Sequence, residues 1–196
     1  MKIKPNQHII KNKKFVFSSP ADEDAPLLAI YFKKLFHQSA KYLNFSEEYY
    51  DSEDVEKQRC FIQSINQEKS SCAIIIKHED EIVGHLVLKN FGSERAAHRT
   101  TLAMGVLKQY HRLGLGTSLI ELAQQSTDKL NIYAIELRVR DFNHAARHLY
   151  EKQQFIKVGE IQGAACVDGK FYNESLYVWN SKSFQLILEK QARSSM

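Results

Sequence analysis

Gln109-Tyr-His-Arg-Leu-Gly-Leu-Gly-Thr117 is the stretch on which the reading of this chain turns. It follows an alternating apolar run that ends Met104-Gly-Val-Leu107 and precedes a Leu-rich helical stripe, so it joins a strand to a helix. Gly114 and Gly116 remove side chains where the backbone must turn and come close to a ligand. The free N–H groups of the helix start and the positive end of its dipole favour phosphate oxygens. Lys108, His111 and Arg112 place positive charge beside the turn. Two specific rivals fail on residues. A dinucleotide fingerprint asks for a third glycine where Leu119 stands, and Glu136, about 20 residues on, is its only match. A P-loop asks for Gly-Lys-Ser/Thr, and Gly116-Thr-Ser lacks the lysine.

Working outward, residues 115–130 carry Leu115, Leu119, Leu122, Ala123, Ser126 and Leu130 at helical spacing. Ile135, Leu137 and Val139 alternate with Glu136, Arg138 and Arg140, which predicts a strand. A helix follows over about 143–153 with Asn143 as its cap, then strands at about 155–162 and 170–179 around Asp168-Gly169. Upstream, Phe15-Val-Phe17 reads as a first strand, and helices are expected from about Asp22 and near 53–67. A hairpin joins Cys72–Lys77 to Ile82–Leu88, and a long strand spans about 97–107. The order is β-α-α-β-β-β-α-β-α-β-β, antiparallel first and then a parallel crossover. Residues 1–13, with four lysines and no acid, read as a flexible basic tail; 14–182 read as one domain and 183–196 as a C-terminal tail.

Composition bounds the function classes. The 196 residues are 43% hydrophobic and 26% charged, enough for one sizeable core without metal or disulfide staples. A net charge of +4 falls short of the dense basic surface of a nucleic-acid binder, so no nucleic-acid partner is expected. No signal-peptide core and no apolar run of about 18 residues is present, so no membrane partner is expected. Cys60, Cys72 and Cys166 are scattered and odd in number, which suits a reducing cytoplasm. His144 and His148 lie four apart on one helix face, but no third ligand is legible, and no metal is expected.

His111-Arg-Leu-Gly-Leu-Gly116 resembles the acyl-CoA-binding turn of the GNAT superfamily of N-acetyltransferases. The resemblance runs from about Ala73 to Trp179 and includes the strand ending at Leu107, Ile135-Glu-Leu-Arg-Val139, and Asn143 through Tyr150 to Phe155. It implies a mixed α/β fold, with a mostly antiparallel sheet of 6–7 strands flanked by about four helices. It implies acetyl-CoA as cosubstrate and transfer to a primary amine by direct attack. Met104, Gly105 and Val106 match the strand that pairs with the pantetheine arm, where a bulge would expose an N–H to the thioester oxygen. Arg112, Leu113, Gly114, Leu115, Gly116 and Thr117 match the pyrophosphate turn; His111 stands where Arg or Gln is usual. Asn143 and Ala146 match positions along the coenzyme arm, and Arg147 beside them is a candidate aid to the anionic coenzyme. Tyr150 matches the tyrosine that protonates the leaving thiolate, and with an ordinary pKa near ~10 it carries its proton at neutral pH.

The general base has no clear candidate. Thr101 stands where many relatives carry Glu, and Glu136, Glu94, His98 and His85 are the alternatives, with Glu136 placed beside Tyr150 as the second catalytic candidate. Gln154 stands where relatives end the helix in a left-handed Gly. The expected acceptor is a small amine such as a polyamine, amino acid or aminoglycoside-like molecule. Alternatives are a protein or peptide amine, or a non-catalytic acetyl-CoA-binding module. Glu47, Glu48, Asp51, Glu53 and Asp54 make the segment after Tyr42 acidic and suggest a cationic acceptor. The resemblance also implies a homodimer.

Overall fold

The computed structural model describes residues 2–43 and 54–194. Its strands are β1 (Asn6–Ile10), β2 (Lys13–Ser18), β3 (Cys72–His78), β4 (Glu81–Asn90), β5 (Arg99–Val106), β6 (Ala134–Arg140), β7 (Ile156–Val167) and β8 (Lys170–Asn180). The helices are α1 (Ala25–Ser39), α2 (Val55–Gln67), α3 (Leu115–Leu130), α4 (His144–Lys152) and α5 (Lys182–Ser194). All eight strands form one sheet in the order β1-β2-β3-β4-β5-β6-β8-β7. Every pair is antiparallel except β5 and β6.

The sheet has one strand more than expected because β1 lies in the stretch read as a tail. Lys11 and Asn12, with φ of 47° and 62°, turn the chain back so that Asn6 pairs with Phe17 and Ile10 with Lys13. Both central residues at positive φ match the hairpin twist, here without glycine. Side chains of β1 are mostly exposed, so little apolar alternation marked it in the sequence. Likewise α5 occupies the stretch read as a C-terminal tail.

The first half of the sheet is covered on both faces. β3 and β4 are buried along nearly their whole length, which explains their continuous apolar runs. Tyr31 and Leu35 of α1 press on Gly105 of β5. The opposite face of β5 meets α3, where Met104 Cε approaches Gly116. In the second half, among the described residues, α4 covers one face. Leu137 pairs with Tyr177, whose hydroxyl donates to Glu151 Oε1 of α4 at 2.6 Å. The other face carries Arg138, which is exposed, and Leu176, which is half-buried.

The end of α4 follows the left-handed expectation. Gln154 has φ of 65°; its N–H donates to Glu151 O and that of Phe155 to Tyr150 O, both at 3.0 Å. The Phe155 ring lies 5.8 Å from that of Tyr150. Paired bonds plus an apolar clasp make a Schellman ending, held here by Gln at about 1 kcal/mol of backbone strain.

Candidate active site

The site grows from a failure of pairing. β5 and β6 are in register only over Arg99↔Ala134, Thr100↔Ile135 and Thr101↔Glu136, and beyond that point they diverge. Residues 102–106 therefore pair with β4 alone. The expected bulge at Met104–Val106 is not there: the β4–β5 register runs unbroken from Gly84↔Val106 to Asn90↔Thr100. Divergence, not a bulge, opens the strand edge. Leu107 N–H donates to Val83 O at 2.9 Å, so by alternation Gly105 turns its amide groups toward β4. Met104 and Val106 turn theirs into the gap.

The glycine turn lies at the end of this edge. Arg112 (φ 58°) and Gly114 (φ 81°) both adopt left-handed backbone, and α3 begins at Leu115 with Ser118 N–H donating to Gly114 O. The N–H groups of Leu115, Gly116 and Thr117 precede the first intrahelical bond and are open to an anion. A Cβ on Gly116 would stand 3.0 Å from Leu149 Cδ2, so glycine is what lets α3 and α4 converge here. Leu115 is fully buried and Leu113 packs on the core, so these two serve the turn through backbone alone. The His111 ring points back along the strand, with Nε2 2.8 Å from Val106 O.

Tyr150 lies on α4, next to Leu149, the residue that packs on Gly116. It is 8% exposed, and burial pushes its hydroxyl up to about 12, which keeps it protonated. Among the described residues its hydroxyl makes no hydrogen bond. The neighbouring Tyr177, 6.4 Å away ring to ring, is different: its hydroxyl is committed to Glu151 and receives Arg147 Nε at 3.4 Å. Arg147 also donates to Asp141 O, so it braces α4 instead of reaching toward the coenzyme. Asn143 caps α4, its Oδ1 accepting from Ala146 N–H at 3.3 Å.

The base candidates are dispersed. Glu136 is ion-paired to Arg99, which occupies its carboxylate. His85 is buried against α1, with Nδ1 2.7 Å from Tyr31 Oη. His98 packs beside Tyr133 and Phe184 before β5 begins, and Glu94 lies in a short exposed turn. Beyond the mouth of the gap, the ends of β6 and β8 meet the end of α1. Arg140 donates to Leu43 O at 2.6 Å and lies 3.6 Å from Glu174, both nearly fully buried. The rings of Tyr42, Phe142 and Tyr172 pack in sequence with tilted planes, 5.5 and 4.8 Å apart. Sequence reasoning missed Glu174 and Tyr31. Glu174 sits in the polar run Asn173-Glu-Ser175, which carries no sign of burial in the sequence, and Tyr31 had only helical spacing to mark it. The acidic run Glu47, Glu48, Asp51 and Glu53 lies outside the described residues, while Asp54 caps α2 by accepting from Lys57 N–H.

Comparison with known proteins gives a concordant result. The chain is 27% identical over 94 residues to the catalytic subunit of the N-terminal acetyltransferase A complex of Arabidopsis thaliana. That match covers 47% of this chain, and the chain spans about half the length of that relative, 49%. A GNAT-family acetyltransferase of Streptococcus pneumoniae superposes with a TM-score of 0.79 at 20% identity, covering 85% of this chain and 98% of that one. The yncA protein of Salmonella typhimurium, solved with its cofactor acetyl-CoA, superposes at 0.72 with 11% identity, covering 85% and 93%. These two likenesses are likenesses of fold. The family model described as Acetyltransferase (GNAT) family matches residues 38–155, more than half of the chain, and takes in the diverging strands, the glycine turn and Tyr150 together. With sheet, turn and family model in agreement, the chain belongs to the GNAT family of acetyltransferases.

Proposed function

We propose that this enzyme transfers the acetyl group of acetyl-CoA to a primary amine of a small molecule by direct attack. The observation that carries the reading is Tyr150: protonated, without a hydrogen bond among the described residues, and next to Leu149, which packs on the glycine turn. The diphosphate of the coenzyme would rest on the N–H groups of residues 115–117, and the pantetheine amides on the edge of Met104 and Val106. The neutral amine attacks the thioester carbon, forming C–N as C–S breaks. A gap-facing N–H of β5 stabilises the oxyanion, Tyr150 gives its proton to the departing thiolate, and water takes the proton of the amine. No residue is required as base if the amine arrives deprotonated.

The acceptor end favours a cation. Glu174 is 5% exposed and accepts no hydrogen bond from the described residues, its one ionic neighbour being Arg140 at 3.6 Å. A buried carboxylate short of donors is a receptor for N–H groups. A second reading, a peptide α-amine as acceptor, is favoured by the match to the N-terminal acetyltransferase subunit. Thiol release from acetyl-CoA with polyamines, amino acids, aminoglycosides and short peptides decides between them. Polyamines or aminoglycosides turning over fastest supports the first reading; peptides turning over fastest replaces it with the second.

A further inference from the structure

Among the described residues, a buried side-chain hydrogen bond lies directly behind the strand edge used above. Tyr31 of α1 is fully buried, and its hydroxyl stands 2.9 Å from Gly105 O and 2.7 Å from His85 Nδ1. His85 is itself the cross-strand partner of Gly105. The proton positions follow from valence. A carbonyl only accepts, and the hydroxyl has one hydrogen, so Tyr31 donates to Gly105 O. His85 must then donate its Nδ1–H to Tyr31. Burial lowers the His85 pKa to about 4, so the ring is neutral, with its one proton on Nδ1. Glycine at 105 is what admits this contact: a Cβ there would lie 3.2 Å from the Tyr31 hydroxyl and 2.7 Å from Leu35 Cδ2.

The peptide bond joining Gly105 to Val106 carries this contact across the strand. It is planar and trans, so its C=O points toward β4 and its N–H points the other way, into the gap. A donor on the carbonyl polarises the whole amide and strengthens its N–H as a donor, because chained hydrogen bonds reinforce one another. It also clamps the peptide plane against rotation where β5 has no partner on its other side.

We propose that Tyr31 and His85 are positioning residues that act through the Gly105–Val106 peptide on the pantetheine arm of the coenzyme. The inference rests on the reading of the gap as the coenzyme site. Neither side chain touches the coenzyme; both set the donor that does.

The test uses Tyr31→Phe and the double variant Tyr31→Phe with His85→Leu. The second removes the stranded imidazole donor, because an orphaned buried group is costlier than losing both partners. The probes are coenzyme A and 3′-phospho-ADP, which has the diphosphate but no pantetheine arm. In the ligand-free protein, the Val106 amide proton should move upfield in both variants and exchange faster. Coenzyme A should bind about fivefold more weakly in both, with 3′-phospho-ADP unchanged, while the double variant regains the stability that Tyr31→Phe loses. A merely structural role would restore coenzyme affinity along with stability, and that result overturns the proposal. An unmoved Val106 amide, or equal loss for both probes, overturns it too. Wild-type protein that binds no coenzyme A would instead remove the functional reading, while the Val106 amide still judges the relay on its own.

Discussion

The two halves of the sheet are built to different rules. β3 and β4 are buried on both faces, with Ile74, Ile76 and Leu86 on one side and Ile75 and Val83 on the other almost wholly enclosed. From β6 to β7, among the described residues, the α4 side is covered, and Ile156 and Val158 remain more than half exposed. The halves touch as paired strands only at residues 99–101 and 134–136. A rigid, doubly covered half holds the donor edge in place, and a half covered on one side leaves a face open to whatever approaches it. The proposed reactive groups follow the seam, where a fixed backbone meets an accessible space.

The contrast is most severely tested at the seam itself. Replacing Tyr150 by Phe removes the proton donor and leaves the ring in place, so kcat for acetyl transfer should fall by about 10²-fold or more while coenzyme affinity holds. Steady-state kinetics with isothermal titration of coenzyme A checks both, and unchanged turnover would mean that the leaving thiolate is protonated from elsewhere.

Next in size is an acid sensitivity centred on the covered half. His85 has a pKa near 4 in the fold, against an ordinary value of about 6.5 once unfolded. Above pH 6.5 both states hold it neutral, and stability is at its full value. As pH falls toward 4 the unfolded chain takes up a proton that the fold refuses, and stability is lost. Urea midpoints should register a loss of roughly 2–3 kcal/mol between pH 6.5 and 4.5, largely absent in His85→Asn. Glu68 and Glu81, whose carboxyls are held below their ordinary value by Lys89 and by Tyr110 with Lys34 against the opposing effect of burial, add their losses only at lower pH.

A matched pair of glycine substitutions sharpens the packing difference. Gly105→Ala pushes a methyl to 2.7 Å from Leu35 Cδ2 in the covered half, for a destabilisation of about 1–3 kcal/mol. Gly159→Ala meets only Leu176 Cδ1 at 3.6 Å, and the strand gains about 0.5 kcal/mol from lower unfolded-state entropy. Thermal melts reporting equal losses would erase the distinction. The smallest effect is at the end of α4, where Gln154→Gly should raise stability by about 0.5–1 kcal/mol by relieving the left-handed backbone.

What the sequence disclosed follows from how local each feature is. The glycine turn, the Asn143 cap and the left-handed Gln154 are written in residues a few positions apart, and the structure places all three as read. The continuous apolar runs of β3 and β4 and the alternating runs of β5 and β6 are equally legible. β1 was hidden because Asn6-Gln-His-Ile-Ile10 carries no apolar alternation and its side chains are mostly exposed; its backbone pairs regardless. The opening beside Met104 depends on where two strands part company, a property of register that no single segment encodes. The same holds for Tyr31 and His85, 54 residues apart, and for Glu174, whose role depends on meeting Arg140 across β6 and β8.

β7 forms one outer border of the sheet, and such a border, with apolar side chains and unpaired backbone, ordinarily recruits other chains. Here its ladder to β8 slips twice, between Lys157 and Gly159 and between Ile161 and Ala165. Lys157 and Glu160 also form an ion pair along it. A ribbon kinked at two places and charged between them makes a poor template for a flat, continuous second ribbon. The consequence is colloidal: the irregularities of β7 let the enzyme keep one sheet face bare at high concentration without its edges seeding fibrils.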